Sequence, residues 1–179
     1  MPYLGYRAII EGRNIPSPST AAEFGQRAKL QTNPKTAIYD GFYDIHHPAD
    51  TSALPIEVYH PVFQQFMRDI TTAKPSRELL IKVRGLMRAS TGMGTVGLPL
   101  AENLRSALAG ILGRCVEQVI VSDAIPGGVV LKSFGEFSVP LLAMEHKREI
   151  GEGGCDPMTQ ASYYVLKYWQ EERVSATGL

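Results

Sequence analysis

The residues best suited to chemistry follow a strongly apolar run in the last third of the chain. Val139–Met144 is apolar on both alternating faces, which predicts a central, buried strand. In extended backbone, side chains two residues apart point to one face, so Glu145 and Lys147 would lie side by side at the end of that strand. Charges at a buried strand end are costly unless they pair or bind a metal. The doublet therefore predicts either a cation-binding carboxylate beside a water-orienting ammonium, or a plain Glu–Lys pair at a solvated strand end.

Three further residues lie before and after this doublet. Asp123 ends an earlier predicted strand, and its carboxylate could share the cation if the two strands are neighbours. Gln160 and Tyr164 are four residues apart in the final helical segment, which places them on one helix face. A glycine-rich turn joins the doublet to that helix, so the first half of the helix can lie over the end of the strand. These residues together predict one polar site.

The ordered set of a strand aspartate, Glu-x-Lys and Gln-x-x-x-Tyr resembles the PD-(D/E)XK nuclease superfamily, and within it the RecB-like branch. The resemblance implies a small α/β core and Mg²⁺-dependent hydrolysis of DNA phosphodiesters. In that family pattern Asp123 and Glu145 would be metal ligands. Lys147 would position or activate the attacking water. Gln160 and Tyr164 would orient the substrate backbone or the lysine.

A second resemblance covers more of the chain and implies less about chemistry. The segments that carry it are Tyr39–Gly41, Ile56–Phe63 and Glu145–Glu149. On these segments the chain is similar to uncharacterised proteins of mushroom-forming fungi, some of which carry this region ahead of a kinase-like domain, and Glu-x-Lys modules of this kind also occur in Crinkler-type effectors. The resemblance implies a kinase-like protein as a partner, beside DNA.

The position of the strand aspartate leaves an alternative open. Family members often place the strand aspartate in an Asp-Gly-Val context, and here that place is Gly127-Gly128-Val129. If Gly127 occupies the position of the aspartate, Asp123 is a turn residue and the metal site lacks a ligand. Glu102 matches an acidic residue that some members carry on the preceding helix. The alternative function is a catalytically inactive nuclease-like module that serves as an interaction or adaptor domain.

The elements that must position these residues divide the chain into a helical half and a mixed half. We expect an irregular arm over residues 1–56 and a helical plus nuclease-like α/β domain over residues 57–179. The fold class is α/β, more strictly α+β: a helical N-terminal half, a three-stranded, mostly antiparallel sheet, and a C-terminal helix packed on the sheet. Ser76 and Asp156 are the predicted helix caps, and Pro157 is the predicted first residue of the last helix. The strands are predicted within 116–121, 128–131 and 139–144.

Composition limits the class of protein. The chain has 179 residues with 18 Lys and Arg against 18 Asp and Glu, so a nucleic-acid partner has to be recognised by a local site rather than by a basic surface. Two cysteines are too few for a disulfide scaffold. No apolar run is long enough to cross a bilayer and no secretory signal is visible, which together predict an intracellular protein in the cytoplasm or nucleus, without a membrane partner.

Other motifs are weaker. Gly92–Gly97 has the spacing of a nucleotide-binding glycine loop, but a helix precedes it, so a linker is the better interpretation. An aromatic row on the last helix suits either base stacking or core packing, and packing is favoured. A zinc site lacks any familiar ligand spacing, and its imaginable ligands are His46, His47, His60 and Cys155.

Overall fold

The computed structural model describes residues 12–23, 25–33, 35–38, 58, 60–91, 98–121, 125–135, 137–147 and 156–170. Within them the chain forms a helical first half, a β-hairpin and a C-terminal helix, as the sequence predicts. No described helix combines the length and the apolar character needed to cross a lipid bilayer. In chain order the elements are α1 (Pro18–Ala22), α2 (Gln26–Gln31), α3 (Pro61–Thr72), α4 (Arg77–Ser90), α5 (Leu98–Leu112), β1 (Gly128–Phe134), β2 (Phe137–Met144) and α6 (Pro157–Gln170).

The N-terminal arm packs against the last helix, α6. Its two short helices are separated by Gly25, whose φ of 81° lies in the left-handed region that glycine tolerates. The arm buries Ile15 and Ala21 against Tyr163 of α6. The Tyr163 hydroxyl donates to the Thr36 carbonyl at 2.6 Å, and Gln170 Nε2 donates to the Arg13 carbonyl at 2.8 Å. The arm therefore packs on α6 rather than standing alone.

Helices α3 and α4 begin at side-chain caps. The Ser76 hydroxyl accepts from the Leu79 amide at 3.1 Å, which confirms the predicted cap of α4. His60 Nδ1 accepts from the Val62 amide at 3.1 Å, and Pro61 follows as the first residue of α3. Neither helix has a buried residue, although α4 lies beside α5.

The sheet of the described residues has two strands, so the prediction of three is wrong. β1 and β2 pair antiparallel in a register that joins Gly128 to Met144 and Phe134 to Phe137. The expected first strand makes a single bridge to β1, in which Glu117 and Val129 exchange two hydrogen bonds of 2.8 Å. The pairing does not extend, because the Val119 carbonyl accepts from a tyrosine hydroxyl of α6 instead of from a strand.

The core lies between the hairpin and α6. One cluster joins Val121 and Val129 to Tyr164 and Tyr168, and Trp169 packs against both this cluster and the one that covers the arm. The aromatic row of α6 is thus core packing, as favoured by the sequence. Helix α6 contacts the arm on one side and the sheet on another, and it therefore determines where the end of β2 lies relative to the rest of the chain.

Candidate functional site

The predicted Glu–Lys doublet lies just beyond the last residue of β2. The strand pairing ends at Gly128 and Met144, and the next residue on each strand is Gly127 on one and Glu145 on the other. The Gly127 amide donates to Glu145 Oε2 at 3.3 Å. Gly127 is buried and Glu145 is partly buried. The carboxylate of Glu145 is therefore held by a backbone donor at the end of the hairpin, and its second oxygen has no described partner.

Gly127 is enclosed by the residues that follow β2. A Cβ atom added to it would lie 2.9 Å from His146 Nδ1 and 3.0 Å from the Met144 carbonyl oxygen. The carbonyl belongs to backbone that is fixed by the hairpin, so it cannot move aside as a flexible side chain would. A glycine at this position permits the close approach of the two chain segments. A side chain here, including the aspartate of the family pattern, would require His146 to move.

Arg105 of α5 is a site residue that the sequence interpretation missed. Its Nη1 donates to the Gly127 carbonyl at 3.0 Å, and the same glycine donates to Glu145. One glycine thus joins a cation and an anion through its two backbone groups. The only signal in the sequence was an arginine next to Leu104, at the border of the apolar stripe of α5. Glu102, which the resemblance singled out on this helix, is exposed.

Gln160 and Tyr164 lie one turn apart on α6, as predicted, but in different surroundings. Tyr164 is 1% exposed and its hydroxyl donates to the Val119 carbonyl at 2.7 Å, which explains its burial by packing. Among the described residues, Gln160 Oε1 and His146 Nδ1 are buried without a hydrogen-bond partner. Buried polar atoms normally have partners, so a water molecule or a ligand that hydrogen-bonds to these two atoms would be favoured there.

Glu145 and Lys147 lie at the same strand end, but no ion pair of the described residues joins them. The ion pairs of the described residues lie elsewhere, between Arg27 and Asp156 and between Glu78 and Lys82. Asp123 falls in 122–124, outside the described residues, so the predicted pair of carboxylates stays a prediction. No group of three or more His, Cys, Asp or Glu side chains suited to a metal occurs among the residues that the structure describes.

The zinc alternative loses one of its four residues to a structural role. His60 Nδ1 accepts from the Val62 amide, which identifies this histidine as a helix cap. His46, His47 and Cys155 lie outside the described residues. In the aromatic row of α6, Tyr163, Tyr164 and Tyr168 are buried and are unavailable for stacking bases, and Trp169 is partly buried against the core.

A different feature stands out on the helical half, where the sequence predicted apolar stripes facing a core. Helices α3 and α4 carry those stripes, but their large apolar side chains other than Leu86 are exposed by between 36% and 63%. The outward side of α4 also carries arginines, at positions 77, 84 and 88. No described acidic side chain forms an ion pair with any of the three.

Comparison with known proteins adds no neighbour to these observations. The chain matches no protein-family model, no curated protein and no solved structure.

Proposed function

We propose that this chain is an intracellular interaction module of nuclease-like build, which binds an acidic protein surface through the outward face of α4. A kinase-like protein is the partner class that the sequence resemblance suggests. The observation that carries the proposal is the combination, on one exposed helix face, of unpaired arginines with large apolar side chains. This function corresponds to the non-catalytic alternative from the sequence.

The face of α4 is continuous along the helix. Arg77, Ile81, Arg84 and Arg88 follow one another at steps of four, three and four residues, which places them in one row. Leu80 and Met87 lie along one edge of this row and are 54% and 62% exposed. On the other side of the helix, Leu86 is less exposed, where α4 lies beside α5. The exposed face therefore runs for three turns and is both basic and apolar.

The charge of this region differs from that of the chain as a whole. Residues 60–91 contain six Lys and Arg against two Asp and Glu, whereas the totals for the whole chain are equal at 18. Complementary charge steers association and selects partners, so an acidic surface is favoured. The exposed Leu80, Ile81 and Met87 distinguish this partner from a nucleic acid, whose phosphates would leave those side chains uncovered. An amphipathic acidic helix satisfies both halves of the face.

The test uses a synthetic acidic amphipathic helix, built from Glu and Leu at helical spacing, as the probe. Fluorescence anisotropy compares the wild type with Arg84→Glu/Arg88→Glu. The matched control is Lys29→Glu/Arg114→Glu, which makes the same change in net charge at two exposed positions elsewhere. We expect the α4 variant to weaken binding at least about tenfold, as several lost charge contacts would, and the control to bind like the wild type. Equal weakening in both variants would show a general charge effect and would refute the docking face.

The DNA phosphodiesterase of the sequence analysis is a second candidate, favoured by one observation at the end of β2. The Glu145 carboxylate is fixed by the Gly127 amide, with Lys147 two residues along and an unpartnered acceptor on Gln160. Glu145 and Asp123 would hold Mg²⁺, which supplies charge neutralisation at the phosphate and a more acidic water. Lys147 would orient that water, and Gln160 would accept a hydrogen bond from the lysine or from substrate.

Cleavage of DNA in the presence of Mg²⁺ or Mn²⁺ tests this second candidate. Under it, the wild type cleaves and Lys147→Ala does not. Lys132→Ala is the control, because Lys132 is an exposed lysine on the same hairpin. Its Nζ lies 5.9 Å from the centroid of the Phe134 ring. Equal activity in the wild type and in Lys147→Ala, or none in either, would reject catalysis by this site.

A further inference from the structure

We propose that Thr91 is a phosphorylation site, and that a phosphate on it releases an acidic partner from the outward face of α4. The second half of this proposal rests on the proposed function, whereas the first half does not. The starting observation is the position of the threonine. Thr91 follows the last residue of α4 as its C-cap, and it continues the row of Arg77, Ile81, Arg84 and Arg88 by a further step of three.

The hydroxyl of Thr91 is accessible to a modifying enzyme. The residue is exposed, and its Oγ1 donates to the Arg88 carbonyl at 3.2 Å, a long hydrogen bond at the open end of the helix. Its amide donates to the Met87 carbonyl at 3.1 Å. Helix α4 has no buried residue, so opening its last turn costs little. A protein kinase, which binds its acceptor in extended backbone, can therefore reach this threonine.

The residues before Thr91 have the charge pattern that arginine-selecting protein kinases recognise. Such kinases use acidic side chains to bind an arginine that lies three residues before the acceptor. Two Ser or Thr positions of the whole sequence meet this spacing, Thr71 after Arg68 and Thr91 after Arg88. The chain therefore offers two acceptors that can be compared directly.

Thr71 is a matched but poorer acceptor. Like Thr91 it is exposed near the end of a helix, and its hydroxyl donates to the carbonyl of the arginine three residues earlier, at 2.7 Å. Its arginine, however, is already engaged, because Arg68 Nη2 donates to Gln65 Oε1 at 2.9 Å. Asp69 follows that arginine and would repel the acidic side chains of the kinase. The charge pattern thus favours Thr91 over Thr71.

A phosphate on Thr91 would lower the charge of the α4 face. Phosphothreonine carries a charge of about −1.5 to −2 at neutral pH. The face has three arginines, so its charge would fall to roughly +1. Arg88 lies one turn before the phosphate and can donate to two of its oxygens, which occupies that guanidinium. An acidic partner would therefore lose attraction along the face and be repelled at its end.

The transfer needs ATP and a protein kinase from outside this chain. The bond between the γ phosphorus of ATP and the oxygen that bridges to the β phosphorus breaks, and a bond from the γ phosphorus to Thr91 Oγ1 forms. ADP leaves with the bridging oxygen and the bonding electrons, and the hydroxyl proton passes to the carboxylate base of the kinase.

Phosphorylation in vitro tests the acceptor. The wild type is incubated with Mg²⁺, ATP and a protein kinase that selects arginine three residues before its acceptor, and mass spectrometry identifies the modified residue. We expect phosphate on Thr91 at least about tenfold faster than on Thr71, as the loss of a charge contact predicts. Arg88→Gln should slow the modification of Thr91 by about the same factor, and Arg68→Gln should not. Modification of Thr71 or Ser90 at an equal or higher rate, or of no residue, would overturn the assignment.

Binding of the Glu and Leu helix before and after kinase treatment tests the regulation, with fluorescence anisotropy as the measurement. We expect treatment to weaken binding by the wild type at least about tenfold. The same treatment should leave the affinity of Thr91→Val unchanged, whereas Thr71→Val should respond like the wild type.

The outcomes separate this regulation from the proposed function. A wild type with phosphate on Thr91 that binds the helix as tightly as before would overturn the regulation and leave the proposed function intact. An untreated wild type that does not bind the helix would refute the proposed function and the regulation with it, while phosphate on Thr91 would still confirm the acceptor.

Discussion

Two amphipathic helices of similar length, α3 and α6, differ in how far their apolar faces are buried. The tyrosines of α6 at 163, 164 and 168 are 1%, 1% and 7% exposed, whereas Phe66 of α3 is 60% exposed. Each of the three tyrosine hydroxyls donates to a backbone carbonyl of a different segment, at Thr36, Val119 and Ser138. Helix α6 is thus tied into the fold by packing and by polar bonds on its rim. Helix α3 has a comparable apolar face, but the described residues give it no comparable hydrogen bonds to distant segments.

The largest effect that would test this contrast is expected from Tyr164→Ala. Removing a buried aromatic side chain together with its hydrogen bond costs about 3–5 kcal/mol of the free energy of unfolding. Phe66→Ala is expected to change stability by less than about 0.5 kcal/mol, as substitutions at exposed positions do. Urea unfolding of both variants against the wild type measures the difference. Similar losses in the two would show that α3 is packed within the monomer and would remove the contrast.

Gly127→Ala is expected to have the next largest effect, because it tests the close packing at the end of β2. The added methyl group would lie at 2.9 Å from His146 Nδ1 and 3.0 Å from the Met144 carbonyl, and such overpacking costs about 1–3 kcal/mol. Gly110→Ala in α5 is the control. It meets open space within a helix and is expected to gain about 0.5–1 kcal/mol. Thermal unfolding of both variants measures whether the two substitutions change the stability in opposite directions. A stabilising Gly127→Ala would contradict the enclosure of this site.

A smaller effect is expected at the start of α6. The Asp156 carboxylate accepts from the Thr159 amide at 2.8 Å and from the Thr159 hydroxyl, so Asp156→Ala should cost about 1 kcal/mol, the usual value of a helix cap. Asp156→Asn should retain most of the stability, since asparagine also caps helices. Denaturant unfolding at neutral pH compares the two, and equal losses would argue against the cap.

The same carboxylate predicts an acid dependence. Partial burial raises the pKa of Asp156, but hydrogen bonds from Thr159 and the nearby Arg27 guanidinium outweigh this and hold the pKa below its ordinary value of 3.8. The Asp156 carboxylate therefore binds a proton less readily in the folded state than in the unfolded chain. The stabilisation is present above pH 3.8 and is lost as the pH falls through the lowered pKa. Unfolding of Asp156→Asn should lack this part of the acid dependence.

The effect that is smallest at neutral pH concerns Tyr163. Burial raises the pKa of its hydroxyl to about 12, opposed in part by Arg13 and Arg27. The unfolded chain loses this proton near pH 10, before the folded chain does, so stability is unaffected below pH 10 and falls between pH 10 and about 12. The decline should be shallower in Tyr163→Phe. If both proteins lose stability equally over this range, Tyr163 is not the group that titrates.

Local sequence signals predicted the parts of the fold that depend on near neighbours. Ser76 and Asp156 cap their helices because a cap needs only the two or three residues that follow it. The apolar stripe of α3 was also evident, because helical period is a local property. What would cover that stripe was not evident, since a periodicity defines a face and says nothing of its partner. The predicted core therefore included residues that the structure leaves exposed.

The errors concern contacts between distant segments. Residues 116–121 have the β-branched composition of a strand, yet Glu117 bridges once to Val129 and Val119 turns its carbonyl to Tyr164. That competition between a strand and a tyrosine 45 residues away cannot be read from the run itself. Arg105 was missed for the same reason, because its partner carbonyl on Gly127 is 22 residues distant. The position of Glu145 and Lys147 just after a strand was predictable because it depends only on neighbouring residues, whereas the contact of Glu145 with Gly127 was not.

The central place of α6 has a consequence for how the chain folds during synthesis. Tyr163 reaches back 127 residues to Thr36, and Gln170 reaches back 157 residues to Arg13. Contacts over such separations form slowly, because the entropy of closing the loop must be lost before the contact is made. The arm leaves the ribosome early and must wait, with Ile15 and Ala21 uncovered, until the last helix emerges.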